Sequence, residues 1–303
     1  MNRLLGKTLL LATLLWATSP AVQAGESLVA EGALPERLAM GFSFTEGPSV
    51  DRFGNIYFSD IPNSRIYKWS VEEKRLSLFH PNTHQVNGTW FGHDGRLYAC
   101  QWGKTRIVAF GLDGSEDVIA DQHAGKPFNR PNDLWMDPKG GIYFTDPNSR
   151  DTKPLSQDGE HVFYITPDRS RVIKAADGFK RPNGIIGTRD GKTLYIADRG
   201  AKQTWRYRIQ PDGRLTDKTF HAAVGSDGMT LDEHGNLYTT TDAVYVYAPD
   251  GRLLERIAIT PEKPRNVVFG DVDSKTLFIT AGTRFLALKM NVAGMYGPHT
   301  NDH

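Results

Sequence analysis

The amino-acid sequence predicts an all-β fold, a six-bladed β-propeller of four-stranded antiparallel blades. Three observations lead there. Thirty Gly and 17 Pro are spread along the 303 residues rather than clustered, which suits many short strands and turns and not a helix bundle. No stretch after residue 25 sustains the 3.6-residue apolar period of an amphipathic helix. A similar unit recurs six times at roughly 40 residues, the spacing of propeller blades; a β-helix or solenoid is the runner-up, but its units are usually shorter.

Residues 1–24 begin with Arg3 and Lys7, continue in the short apolar run Thr8 to Ala17 and end at Val22-Gln23-Ala24, the pattern of a secretory signal peptide cleaved after Ala24. The apolar run falls short of the roughly 20 residues a membrane-spanning helix needs. Residues 25–303 then form a single propeller domain, exported, and periplasmic if the host is Gram-negative.

Each unit opens with a polar residue: Glu46, Asn87, Asn132, Asn183, Asp227 and Asn266, separated by 41, 45, 51, 44 and 39 residues. An aromatic follows at an offset of 11, 11, 11, 12, 11 or 12: Tyr57, Tyr98, Tyr143, Tyr195, Tyr238 and Phe278. Between them lie turn sequences such as Asp51-Arg52-Phe53-Gly54, Asp137-Pro138-Lys139-Gly140 and Asp232-Glu233-His234-Gly235, which join a first strand to a second. Further turns at Asp113-Gly114, Asp212-Gly213 and Asp250-Gly251 divide the units into about four strands. The last unit shows only three strands, ending near Met290, so residues 36 to 41 are expected to supply the fourth and close the ring.

Composition excludes several functions. Lys+Arg 36 against Asp+Glu 35 offers no basic surface for nucleic acid, and removal of the signal leaves the remainder near neutrality with no segment apolar enough to cross a membrane. The single Cys100 rules out an intrachain disulfide and reads as a core residue. The nine His show no H-E-x-x-H pattern and no G-x-S-x-G elbow is present, so neither a zincin nor a serine hydrolase is indicated. No protein partner is indicated.

In a propeller the innermost strand of every blade lines a central channel, so the six opening residues converge on its axis. They are two carboxylates and four carboxamides. Two facing carboxylates repel unless a cation lies between them, and an all-oxygen donor set favours a hard divalent ion. Three residues past each aromatic stand Asp60, Gln101, Asp146, Asp198, Thr241 and Ala281, of which the carboxylates can orient a water or cap a turn. Simple strand alternation turns Asp133 away from the channel.

The segments Phe44-Thr45-Glu46-Gly47-Pro48, Asn129-Arg130-Pro131-Asn132-Asp133-Leu134, Tyr143-Phe144-Thr145-Asp146-Pro147, Arg181-Pro182-Asn183-Gly184 and Ser226-Asp227-Gly228-Met229 closely resemble the SMP-30/gluconolactonase family of six-bladed propellers. The resemblance covers roughly residues 40 to 290. It implies a divalent ion held by Glu46, Asn183 and Asp227, with Asn132 at the metal or the substrate beside it. Calcium leads as the ion, with magnesium, manganese, zinc or iron open. It also implies hydrolysis of a small sugar lactone; for attack by metal-activated water, Asp227 is the first candidate proton acceptor and Asp198 the second. The polar insertion Asn148 to Pro154 lies in the longest inter-blade interval, and Phe128, Asn129, Arg130 and Arg150 are candidates to contact substrate. Trp90 and Trp102 read as core or channel wall. Two other functions stay open on the same scaffold: a phosphotriesterase-like or other ester hydrolase, and a calcium-stabilised binding platform without catalysis.

Overall fold

The computed structural model describes residues 27–148 and 154–298. The expected signal peptide, Arg150 and most of the polar insertion lie outside the described residues. Six four-stranded antiparallel sheets follow one another along the chain. Their innermost strands are Thr45–Val50, Val86–Phe91, Leu134–Met136, Pro182–Gly187, Met229–Leu231 and Asn266–Gly270. Each packs against the next and the sixth against the first, which closes a six-bladed propeller around a channel. Helix is nearly absent among the described residues, a 3-10 turn at Trp102–Lys104 being the helical element.

The sixth blade is completed as expected. Glu36–Met40 pairs antiparallel with Arg284–Lys289 at the outer edge of the last sheet, so the two ends of the propeller are stitched together. The seam is also packed: the Phe58 ring of blade one stacks on Phe285 of blade six, centroids 4.3 Å apart. Elsewhere the apolar core lies between neighbouring blades. Trp135 and Tyr143 of blade three, for example, belong to one buried cluster with Ile186 and Tyr195 of blade four and Met229 of blade five. Cys100 is fully buried in a similar cluster between blades two and three.

The turns between first and second strands show why the Asp-x-x-Gly sequences recur. Oδ1 of Asp51 accepts hydrogen bonds from the N–H groups of Phe53 and Asn55, and Asp137 and Asp232 do the same two and four residues on. The glycine that ends each turn sits at positive φ, +84° at Gly54 and +87° at Gly140, where a β-carbon would be strained.

Two features were not anticipated from sequence. A small hairpin, Gln122–His123 with Lys126–Pro127, occupies the connection between blades two and three. Past the last strand the chain turns under the propeller instead of ending. Asp232 bridges to Gly294, and the N–H of Met295 donates to the Leu231 carbonyl. Tyr296 then enters beneath the channel. Its hydroxyl donates to the Gly187 carbonyl at 2.6 Å and accepts from Trp135 Nε1 at 3.1 Å, while its ring meets Trp90 edge-on at 5.1 Å. These partners come from blades two, three and four, at the end of the inner strands away from the opening residues, so the tail plugs that end. Trp90 is therefore channel wall, one of the two roles expected for it.

Candidate active site at the mouth of the channel

A shared hydrogen-bond pattern fixes opening residues of the inner strands. In blades three and five, Asn132 and Asp227 donate their N–H to the carbonyls of Thr145 and Thr240, and the next residues, Asp133 and Gly228, donate to the hydroxyls of the same threonines. Hydroxyls also tie alternate blades to the next: Ser59 donates to the Asn87 carbonyl at 2.9 Å and Thr145 to that of Asn183 at 2.8 Å.

In blade six this pattern falls on Arg265 and not on Asn266. Arg265 donates its N–H to the Thr280 carbonyl, Asn266 donates to the Thr280 hydroxyl, and the Thr240 hydroxyl donates to the Arg265 carbonyl at 2.6 Å. The register assigned to Asn266 from sequence is thus one residue out. The cause is a longer hairpin: Val268 pairs with Phe278 across Gly270 to Thr276, whereas in blade one Ser49 pairs with Tyr57 across a turn two residues shorter. The structural ring is Glu46, Asn87, Asn132, Asn183, Asp227 and Arg265.

One step along each strand is a second tier: Gly47, Gly88, Asp133, Gly184, Gly228 and Asn266. The glycines are required by close approach. A β-carbon on Gly88 would lie 2.4 Å from Asp133 Oδ1, and one on Gly228 would overlap the Asn266 carboxamide. Asp133 and Asn266, from opposite blades, extend over these glycines, and the Asn266 carboxamide lies close enough to Asp133 and Glu46 to stabilise their charged forms. Asp133 therefore belongs to the channel, contrary to the alternation argument. Alternation fails because the regular strand begins only at Leu134, after the irregular segment that carries Asn132 and Asp133.

Charge is concentrated here. Glu46, Asp133 and Asp227 are all nearly fully buried. Burial pushes the Glu46 carboxyl well above the usual carboxylate range, and the negative charges of Asp227 and Asp133 add to the effect. Burial lifts Asp133 to about 7. Asp227 is raised by burial despite two guanidinium groups that pull the other way. Arg199 donates to Asp227 Oδ1 at 3.0 Å, Asn183 Nδ2 donates to the same oxygen at 2.8 Å, and Arg265 lies 3.7 Å from Oδ2. Three carboxylates and four carboxamides in one buried space suit a hard cation bound through oxygen. Among the described residues no three His, Cys, Asp or Glu side chains form a ligand group, so asparagine oxygens have to complete such a site.

The remaining candidates divide. Asp198 is not beside the ring as a free base: its two oxygens accept the backbone N–H groups of Lys180, Arg181 and Ala201. Asp60 and Asp146 hold Ser43-Phe44 and Asn129-Arg130 in the same way, so these carboxylates fix the loops entering the inner strands. Asn129 is spent on protein: its amide donates to the carbonyls of Asp146 and Gly159, and its oxygen accepts from Ser156 and Gln157. Phe128 is fully buried against Phe144 and Phe163, a core residue and not a substrate contact. Arg130 stays near the mouth, its guanidinium 4.2 Å from the Trp102 ring centroid. Sequence reasoning missed Asp133, Arg199 and Arg265. Allowing for the longer last turn when counting back from Phe278 would have found Arg265.

A buried, carboxylate-rich ring at one end of a plugged six-bladed propeller defines a class of channel-site propellers. The matching family model is described as the SMP-30/Gluconolactonase/LRE-like region; it spans residues 44–283, and the chain belongs to that family. The gluconolactonase of Zymomonas mobilis is 30% identical over 296 residues, covering 86% of this chain and 82% of that protein. A structurally and functionally analysed gluconolactonase from Xanthomonas campestris superposes with a TM-score of 0.81 at 29% identity, over 87% of this chain and 91% of its own. The calcium-binding protein regucalcin from Agrobacterium tumefaciens shares the fold, with a TM-score of 0.75 at 18% identity over 86% of this chain and 95% of its own.

Proposed function

We propose that this protein hydrolyses a sugar lactone of the gluconolactone type at the ring-lined mouth of the channel. Glu46, Asn183 and Asp227 would hold a divalent ion, calcium first among the candidates, with Asn132 beside it. The observation that carries the reading is the burial of Glu46 and Asp227 in one space, close enough that the Asp227 charge raises the proton affinity of Glu46, which a shared cation would relieve. The kinship with gluconolactonases supports lactone as the substrate.

When bound, such an ion supplies Lewis acidity toward a carbonyl oxygen and lowers the pKa of coordinated water. The chain's own residues do the rest. Asp227 is held by Asn183 and Arg199 and is the first candidate to accept a proton from the attacking water; Asp133 replaces Asp198 as the second because it shares the channel. Asn132 and Arg130 would orient substrate oxygens. Tyr296 and the Trp90 wall close the far end, so water and substrate share one entrance. Export with removal of residues 1–24 is part of the same proposal, and N-terminal sequencing of the mature protein should read Gly25 first.

The test is turnover of glucono-1,5-lactone, an aryl ester and an aryl phosphotriester, each with and without chelator. Chelator-sensitive hydrolysis of the lactone above the other two is expected. Preference for the phosphotriester, or no chelator-sensitive turnover of any, would overturn the reading.

A further inference from the structure

Arg265 is a cation at the one ring position where the other five blades present carboxylate or carboxamide. It lies over an aromatic face, its guanidinium 4.9 Å from the Phe44 ring centroid. Its Nε is buried without a hydrogen-bond partner, and its nearest approach to Asp227 is 3.7 Å, beyond hydrogen-bond distance. The shorter contact to Asp227, 3.0 Å, is made by Arg199, whose side chain is 46% exposed at the mouth. One carboxylate therefore faces two guanidinium groups and satisfies one of them closely.

We infer that Arg265, with Arg199, binds an anionic group on the substrate, so that the lactone accepted here carries a carboxylate, as the monolactone of a sugar diacid does. The inference rests on the lactone-hydrolase reading and narrows it. A guanidinium with unspent donors and an aromatic backing is a geometric match for a carboxylate, which it binds through two parallel N–H···O bonds. A neutral aldonolactone leaves that donor set unpaired, and a site built to hydrogen-bond one group discriminates against analogues lacking it. Charge points the same way. Once Asp227 is engaged by a cation, the two arginines leave the mouth with positive charge that an incoming carboxylate would complement.

The holoenzyme is compared as wild type, R265Q, R265K and R199Q on glucono-1,5-lactone and on glucaro-1,4-lactone, which carries a free carboxylate. The measured quantity is the ratio of kcat/KM for the acidic over the neutral lactone. Calorimetric binding of glucarate to the same proteins gives a readout that needs no turnover. Wild type should favour the acidic lactone by about tenfold or more, and R265Q should lower that ratio by about tenfold, with R265K keeping part of it and R199Q showing a smaller fall. Glucarate affinity should fall in parallel. A ratio and a glucarate affinity in R265Q within about twofold of wild type would overturn the inference. If R265Q does not fold, R199Q carries the same comparison. Failure of wild type to hydrolyse either lactone would refute the hydrolase reading alone, and glucarate binding then decides the role of Arg265: weakened binding in the variant supports it, equal binding overturns it.

Discussion

Asp227→Asn separates the cost of building the channel site from its use. In protein stripped of divalent ions, the substitution removes an ion pair with half-exposed Arg199, a contact worth at most about 1 kcal/mol. The hydrogen bond from Asn183 survives, because the new carboxamide oxygen can still accept it. Against this loss stand two gains: a buried carboxylate is no longer desolvated, and its repulsion of Glu46 disappears. The terms nearly cancel, so the variant should melt within about 2–4 °C of wild type, the equivalent of about 1 kcal/mol for a domain of this size. Calcium should reveal the difference. At about a hundred times its dissociation constant an ion that binds only the folded state adds about 2.7 kcal/mol, and a hundredfold weaker variant would gain only about 0.4 kcal/mol under the same conditions. Differential scanning calorimetry in chelator and in excess calcium measures both quantities. A calcium-induced shift in Asp227→Asn equal to that of wild type would refute Asp227 as a ligand. A loss of more than about 3 kcal/mol in chelator would show that its charge stabilises the fold rather than straining it.

Three further outcomes follow from other parts of the molecule. Tyr296→Phe leaves the Trp135 Nε1 donor and the Gly187 acceptor unpaired under the channel, so the denaturant midpoint should report a loss of about 1–3 kcal/mol, and an unchanged midpoint would count against the plug. Cys100→Ala should cost about 1 kcal/mol of packing and keep lactone turnover within severalfold, since burial pushes the thiol up and away from reactive thiolate; abolished turnover with an intact fold would refute its structural role. His221, packed between Tyr195 and Tyr247, has its pKa pushed down to about 4 by burial. The unfolded chain therefore takes up the proton first, and stability present above about pH 6.5 is lost as the pH falls toward about 4. Urea unfolding at pH 7 and at pH 4.5 should show about 2 kcal/mol of that loss absent in His221→Gln, and an identical loss in both proteins would remove His221 as its source.

Much of the architecture was legible in the chain alone because it is written in local chemistry repeated six times. The Asp-x-x-Gly turns need only their own side chain and a glycine at positive φ, and the aromatic that follows each turn packs in its own blade interface, so both appear at regular sequence intervals. The need for a closing strand followed from the missing fourth strand of the last unit, and Glu36–Met40 supplies it. Glu46, Asn132, Asn183 and Asp227 were likewise visible as polar residues at one register. What the tertiary structure decided is everything that depends on contacts between blades. Whether Asp133 faces the channel depends on an irregular segment ahead of Leu134 and on a glycine in the neighbouring blade leaving room for it. Whether Arg265 or Asn266 completes the ring depends on a turn two residues longer than that of blade one, which no fixed offset can register. Asp198 looked like a base in sequence and is a loop anchor in space, because backbone N–H groups from two loops reach it first. Tyr296 carries no motif at all. Its role exists only because the channel it closes is assembled from strands more than a hundred residues away, and side-chain direction across such distances is set by packing and not by local sequence.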